Sequence, residues 1–344
     1  MTLQRERVCI IGSGNWGTAV AKIIGENVTK HSQVFEPQVQ QWVFEEDYQG
    51  KPLTQVINAT HENPKYLPGI RLADNIHAEP DLVKACSDST VLVFVLPHQF
   101  VRGVCDDLVG KVNPNVKAIS LVKGLEIKPD GITLFSEEIG RRLQIEEVAA
   151  LSGANIADEV AREQFCETTI GSRSEAHGQL FHQLFDTPYF RANVIRDYVG
   201  VELCGALKNV VAVAAGISDG LNYGSNTKAA LIRLGLMEMR KFGQTFFGGV
   251  EDTTFFESCG VADLITTCAG GRNRKVAEAF ARTGKPIDVL ERELLNGQKL
   301  QGSLTAIEVY QFLSARKMTN EFPFFDAVYQ ILYQGAPLDT IVKL

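Results

Sequence analysis

The sequence predicts an α/β chain in two domains, with a doubly wound, mostly parallel sheet over 1–195 followed by an all-α domain over 196–344. Through the first half, short β-branched runs alternate with helix-period stretches, the pattern of a parallel sheet covered on both faces. A Gly-x-Gly-x-x-Gly segment lies between the first apolar run and the first helical one. From about Arg196 onward the strand signal stops and long apolar helical segments follow. At 344 residues the chain also exceeds one ordinary core, which favours two domains.

In chain order, Val8-Cys9-Ile10-Ile11 makes Arg7–Ile11 the first strand, and Ala19, Val20, Ile23 and Ile24 place a helix over Trp16–Asn27. Trp42-Val43-Phe44 marks a strand over Gln41–Phe44. The stretch Tyr48–Asp74 is broken by Lys51-Pro52, Asn63-Pro64 and Leu67-Pro68-Gly69, and reads as an ordered loop with one short helix. Further strands are read at Thr90–Leu96, Ala118–Val122, Val148–Leu151 and Thr168–Ile170, with helices at Phe100–Val109, Leu134–Leu143 and Glu175–Phe185. The second half predicts helices at Val199–Ile217, Thr227–Phe242, Gly260–Thr267, Asn273–Arg282, Val289–Leu295, Ser303–Ala315 and Phe324–Tyr333. No Gly/Ser-rich or Pro-rich linker parts the halves, so a strand is expected to feed directly into a long helix and leave a cleft between domains.

Composition narrows the class. With 45% hydrophobic and 22% charged residues the chain is globular rather than disordered. The 34 Lys+Arg against 41 Asp+Glu give a net charge of −7, which offers no broad basic face for nucleic acid or an anionic membrane but leaves room for a local cationic pocket. The seven cysteines are scattered, with no CxxC pair and no histidine at ligand spacing, so reduced thiols and no metal are expected. The longest unbroken apolar runs, Val91–Leu96 and Val210–Ile217, are too short to span a bilayer, and the first residues carry no apolar segment after their charges. A cytoplasmic location is expected. Val342-Lys343-Leu344 shares two letters with a peroxisomal address but lacks its small first residue.

Gly12-Ser13-Gly14-Asn15-Trp16-Gly17 sits between strand and helix, where the fingerprint of a Rossmann-type fold makes physical sense. Gly12 permits the tight turn, Gly14 lets a pyrophosphate approach the backbone, and Gly17 lets helix pack on strand. Free N–H groups and the helix dipole then favour the phosphate charge. An acid is expected at the end of the second strand to meet the adenosine ribose. Glu36 competes with Glu45 and Glu46; Pro37 marks Glu36 as loop, so the later pair is preferred, with Phe44 beside the cofactor. No Lys or Arg follows until Lys51, which favours NAD over NADP. Pro97-His98-Gln99-Phe100 ends another buried strand: Phe100 could wall the nicotinamide or pack in the core, and His98 could act as a base but more commonly caps a turn.

Lys208 lies in Leu203–Val213, a helical stretch apolar nearly all round with Asn209 the only adjacent polar group. Burying an ammonium is costly, so such a lysine needs a partner or a task, and general acid/base work is one. The alternative is a lysine that snorkels to solvent. Lys123 ends the strand Ala118–Val122 and is followed by Gly124, which sets it at a sheet edge. Asp263 and Thr267, four apart, share a helical face; Asp263 is a candidate counter-charge for the buried lysine, or a helix-start carboxylate. Gly270-Gly271-Arg272-Asn273-Arg274-Lys275 is a glycine turn entering a helix with an arginine fork, a good anion cradle if it is not simply a solvated helix end. Together these features point to a small phosphorylated carbonyl substrate.

With these motifs in place, the sequence resembles the eukaryotic, soluble NAD-dependent glycerol-3-phosphate dehydrogenases over nearly its full length. The likeness rests on Gly12–Gly17, Trp42–Asp47, His61-Glu62-Asn63, Lys65–Gly69, Pro97–Phe100, Gly153–Ala157, Gly205–Val211, Asn226–Ala230, Glu257–Lys275 and Asn296–Gly302. The resemblance implies Lys208 as proton donor and acceptor, Lys123 and Asn209 as substrate contacts, and Thr267 and Asp263 in the same polar network. It implies that Arg272 and Asn273 hold the substrate phosphate, with Arg272 also reaching the cofactor, and that Phe44, Phe100 and Ala157 contact NAD. Lys299 and Gln301 match a loop that closes over the cofactor. It further implies dihydroxyacetone phosphate and glycerol 3-phosphate as substrates, and a homodimer. Ala269 departs from the aromatic expected before the two glycines, and the carboxyl tail is shorter than in animal members. A hydroxyacid dehydrogenase of the same architecture, which would select a carboxylate, and a non-catalytic NADH-binding regulator, which would need neither Lys208 nor Lys123, are the alternatives.

Overall fold

The structure, a computed structural model, describes residues 4–295 and 298–344. The chain forms two compact units: residues up to Lys123 with Leu134–Tyr198, and Gly124–Thr133 with Val199–Leu344. The boundary read at 195/196 thus falls at Tyr198/Val199, and ten residues from the first half, Gly124–Thr133, join the second unit.

The first unit is built on eight strands: β1 (Glu6–Ile11), β2 (Phe35–Trp42), β3 (Ile76–Glu79), β4 (Val91–Phe94), β5 (Lys117–Ser120), β6 (Val148–Ser152), β7 (Cys166–Gly171) and β8 (Phe190–Ile195), in the spatial order β8-β7-β6-β5-β4-β1-β2-β3. All neighbours are parallel except β6 and β7. Alternate residues of β1 feed opposite faces: Val8 and Ile10 join one apolar cluster, Cys9 and Ile11 the other. A sheet buried on both sides explains the near-continuous apolar runs that mark β1 and β4 in the sequence.

Several elements differ from expectation. β2 starts at Phe35 and ends at Trp42, so Glu36 and Pro37 lie in a strand rather than a loop. The β1–β2 register shifts between Glu6 and Val8, a bulge that tolerates a residue with no N–H to donate. β3 and β8 carry too little uninterrupted apolar signal to be read: Ile76-His77-Ala78-Glu79 has two apolar residues, and β8 opens with exposed Arg191 and Asn193 between buried neighbours. The 48–74 stretch holds the expected short helix, Leu53–Thr60.

Helices make up the second unit, the main ones being Tyr198–Gly220, Ser225–Phe246, Asp263–Gly270, Arg272–Thr283, Ile287–Leu295, Gln301–Ala315 and Pro323–Tyr333. The exception is the hairpin Glu126–Lys128/Gly131–Thr133, which is tied to the helical unit where Arg316 Nη1 donates to Pro129 O at 2.8 Å. Tyr198–Gly220 corrects the reading from unbroken runs: by length and a mean hydropathy of 1.5 it could cross a membrane, but that window is wholly buried inside the protein. Phe242, Phe246, Phe312 and Phe322 form a connected ring cluster beside it, with centroids 4.8–5.9 Å apart.

At the edge of this cluster buried Glu238 accepts hydrogen bonds from the N–H groups of Phe324 (2.6 Å) and Phe325 (3.0 Å), capping the helix Pro323–Tyr333. Burial pushes its carboxyl up to about 7, against the lowering by those two N–H bonds. A folded-state value above the unfolded one means the folded protein binds the proton more tightly, so stability falls as pH rises from about 4.5 through about 7. Wild type is therefore expected to lose stability relative to Glu238→Gln across that window, by up to roughly 3 kcal/mol. Thermal melts of both proteins between about pH 5 and pH 8 check this, and a pH-independent difference would contradict it.

Candidate active site

On the first unit, ligand contacts are expected at the carboxyl ends of the strands, where the order reverses between β1 and β4. The glycine loop follows β1. Gly12 has φ +123°, and a Cβ there would meet Val95 O at 2.1 Å, so no other residue fits. A Cβ on Gly17 would strike Gly12 O at 2.6 Å, whereas Gly14 faces open space and leaves the backbone approachable. No side chain caps the helix Asn15–Lys30 that starts here, which leaves its first N–H groups for an anion. At the end of β6, Ser152 Oγ is buried with no partner. This cradle fits a dinucleotide pyrophosphate.

Two side chains that sequence reasoning did not single out hold the loop in shape. Gln41 Nε2 donates to Gly12 O (3.0 Å), and buried Asn63 Nδ2 donates to Ser13 O (2.9 Å) and Thr18 Oγ1 (3.0 Å). Asn15 Nδ2 donates to Tyr66 O at 3.0 Å. The 48–74 stretch therefore buttresses the loop, a role hidden because Asn63-Pro64 signals only a break.

Phe44 follows β2 and Phe100 follows β4, 69% and 56% exposed, as suits rings that meet a planar ligand. Glu45 instead binds the N–H and hydroxyl of Thr54, and Glu46 binds Lys65 (2.8 Å) and the Tyr66 hydroxyl (2.6 Å). Burial alone would raise the Glu46 carboxyl, but the hydrogen bonds from Lys65 and Tyr66 hold it below the usual range. Glu36 pairs with Arg5 near the start of β2, far from the strand's carboxyl end. The indole of Trp16 packs on Phe190 and on the Ala19–Leu67–Ile70 cluster, as does Ala157, so Trp16 brings only its backbone to the anion site. His98 stacks on Phe135 with centroids 5.6 Å apart, which fits a packing residue better than a base. Lys123 stands exposed three residues beyond β5.

On the second unit, Lys208 is 4% exposed and Asp263 3%, and Lys208 Nζ donates directly to Asp263 Oδ2. Asp263 opens the helix Asp263–Gly270 after one π-helical turn, Ser258–Ala262. Its other oxygen accepts from Thr267 Oγ1 at 3.4 Å, the four-residue spacing read from the sequence. Of the two explanations of Asp263, the ion pair supports the counter-charge; the π-helical turn runs directly into Asp263, whose N–H is bonded to Ser258 O, so it is not at a free helix start. Cys268 lies against this pair. Burial pushes its thiol up to about 12, although Lys228 and Lys208 lower it, so it stays neutral.

The helix Arg272–Thr283 packs tightly on Tyr198–Gly220, because a Cβ on Gly216 would meet Arg274 O at 2.2 Å. That approach brings Asn273 Nδ2 to Asn209 Oδ1 (2.8 Å), and Asn273 Oδ1 accepts from Gly302 N (2.8 Å). Asn273 therefore braces three helices, and its amide oxygen is committed to the protein. Gly271 precedes Arg272–Thr283 and no side chain caps that helix start, so its N–H groups sit beside exposed Arg272. Arg272 Nη1 donates to Gln298 Oε1 at 2.7 Å, Lys299 Nζ pairs with Glu291 (2.9 Å), and Gln301 Nε2 reaches Thr305 Oγ1 (3.5 Å). Asn296 and Gly297, part of the loop motif, lie outside the described residues. Among described residues no cluster of three metal-ligating side chains occurs.

Two family profiles match the chain: NAD-dependent glycerol-3-phosphate dehydrogenase N-terminus over 7–178 and the corresponding C-terminus over 197–343. A human protein named cytoplasmic glycerol-3-phosphate dehydrogenase [NAD(+)] is 57% identical over 98% of this chain and 96% of its own length. A glycerol-3-phosphate dehydrogenase 1-like protein of Xenopus tropicalis is 56% identical with the same coverage. The solved structure of a glycerol-3-phosphate dehydrogenase from Saccharomyces cerevisiae superposes with a TM-score of 0.95 at 47% identity, covering 99% of both chains.

Removing one partner of the buried pair leaves the other charge uncompensated, so Asp263→Ala is expected to cost about 3–5 kcal/mol of stability. Denaturant unfolding measures it; a loss below about 1 kcal/mol, the range of a surface pair, would contradict the assigned burial.

Proposed function

Because the chain belongs to the NAD-dependent glycerol-3-phosphate dehydrogenase family, we propose that it catalyses the reversible reduction of dihydroxyacetone phosphate by NADH to sn-glycerol 3-phosphate. The observation that carries this reading is a lysine buried against a carboxylate, in a unit that also carries an arginine at an uncapped helix start. When bound, NADH would supply the hydride that converts the C2 carbonyl carbon to the alcohol. The first unit's residues Gly12–Gly17 hold the pyrophosphate through backbone N–H groups, and Phe44 and Phe100 offer apolar faces to the rings.

Lys208 Nζ delivers a proton to the C2 oxygen as negative charge develops there, and takes it back in the oxidative direction. Asp263 fixes the ammonium in place, and Thr267 fixes Asp263. Asn209 and Lys123 add polar contacts to the substrate. The phosphate is held by the Arg272 guanidinium and the N–H groups at the start of Arg272–Thr283, while Asn273 acts through its brace on Asn209. Lys299 and Gln301 serve the cofactor. Like its relative named cytoplasmic, the protein works in the cytoplasm; a homodimer is what the sequence resemblance implies.

Loss of NADH absorbance on adding dihydroxyacetone phosphate tests the activity, with a carboxylated 2-keto acid as the comparison substrate. Turnover only with the keto acid would overturn the reading. Lys208→Ala is expected to lower kcat by about 10²–10⁴ and to leave NADH affinity nearly unchanged; near-normal turnover would sink its role. Arg272→Ala is expected to raise KM for the phosphorylated substrate, and unchanged kinetics would rule out the anion cradle.

A further inference from the structure

We infer that Glu291 is a positioning residue for recognition of the substrate phosphate. It is 4% exposed on the helix Ile287–Leu295, and both oxygens are used: Oε1 accepts from Leu300 N (2.8 Å) and Oε2 from Lys299 Nζ (2.9 Å). Leu300 is buried and immediately precedes the helix Gln301–Ala315, which no side chain caps. A carboxylate against the N–H that enters this helix is also favoured by the helix dipole.

The segment it grips bears on the anion cradle from both sides. Before it, Gln298 Oε1 holds the Arg272 guanidinium at 2.7 Å. After it, Gly302 N holds Asn273 Oδ1 at 2.8 Å, and a Cβ on Gly302 would strike Asn209 O at 2.5 Å, so little displacement of this turn is tolerated. Ser303 Oγ to Leu300 O and Tyr333 OH to Ser303 O, both 2.9 Å, pin the helix start further on, and Glu291 ties residues 299 and 300 to the helix Ile287–Leu295. A glutamine there keeps the shape but offers one acceptor to two donors, one of them an ammonium. Arg272 then loses its fixed partner Gln298, while Lys208 and Asp263, on other elements, keep theirs.

The inference rests on the proposed phosphate-binding role of Arg272. The test compares kcat/KM for dihydroxyacetone phosphate with that for unphosphorylated dihydroxyacetone in wild type, Glu291→Gln, Glu291→Ala and Arg272→Ala. Using the ratio of the two substrates on one preparation cancels any loss of folded protein. At saturating NADH, which allows for the contact of Glu291 with the cofactor residue Lys299, both Glu291 variants are expected to lose on the order of 10- to 100-fold more on the phosphorylated substrate than on the unphosphorylated one. Equal loss on both substrates would mean that Glu291 is merely structural, and no loss on either would mean that the tie is idle; each overturns the inference. If Arg272→Ala discriminates between the substrates and the Glu291 variants do not, Glu291 alone fails. If Arg272→Ala does not discriminate, the phosphate site itself is misplaced.

Discussion

A lysine ammonium buried in an otherwise apolar helix is the constraint around which the helical unit is arranged. Desolvating that charge is expensive, and the cost is tolerable only because Asp263 meets it directly. Asp263 must therefore arrive at one point beside Tyr198–Gly220. The π-helical turn Ser258–Ala262 and the short helix that follows deliver it there. Such wide turns are frequent at functional sites because they re-aim the residues after them.

The neighbouring contacts follow from the same central helix. Small residues along Tyr198–Gly220 let the backbone of Arg272–Thr283 come close at Gly216, and that closeness places Asn273 on Asn209. Arg274, next to Asn273, pairs with Asp219 at 2.6 Å, and Lys228 on the helix Ser225–Phe246 pairs with the same carboxylate at 2.7 Å, which ties a third helix to the other two. Polar groups inside an apolar bundle are costly unless each is matched, and here they are matched in two sets, Lys208–Asp263–Thr267 and Asn209–Asn273–Gly302.

Much of this was legible in the sequence, for reasons specific to particular residues. The glycine loop was legible because strand, glycines and helix follow one another in sequence, and Gly12 has no alternative at its φ. Lys208 stood out as a lone charge in an apolar stretch, and Asp263 with Thr267 through their helical spacing. Partners brought together by tertiary packing were not legible. Glu291 sits in an ordinary amphipathic acidic helix, Gln41 in a strand, and Asn63 beside a proline, so nothing local marks them. Asn273 was assigned to the phosphate, but its amide Nδ2, the group that could donate to an anion, goes to Asn209 Oδ1 at 2.8 Å. β2 was read short because Pro37 signals a loop and a bulge was invisible. β3 and β8 were missed because edge-proximal strands need little apolar sequence once β2 and β7 supply the pairing.

The central claim, that Asp263 contributes to catalysis only by holding Lys208, is tested most directly by a double-mutant cycle on kcat with Lys208→Ala, Asp263→Asn and both together. Residues that act as a unit are grossly non-additive. The account predicts that the double variant is no slower than Lys208→Ala alone. Losses that simply multiply would contradict it, since they would mean that the carboxylate acts on the reaction independently of the lysine.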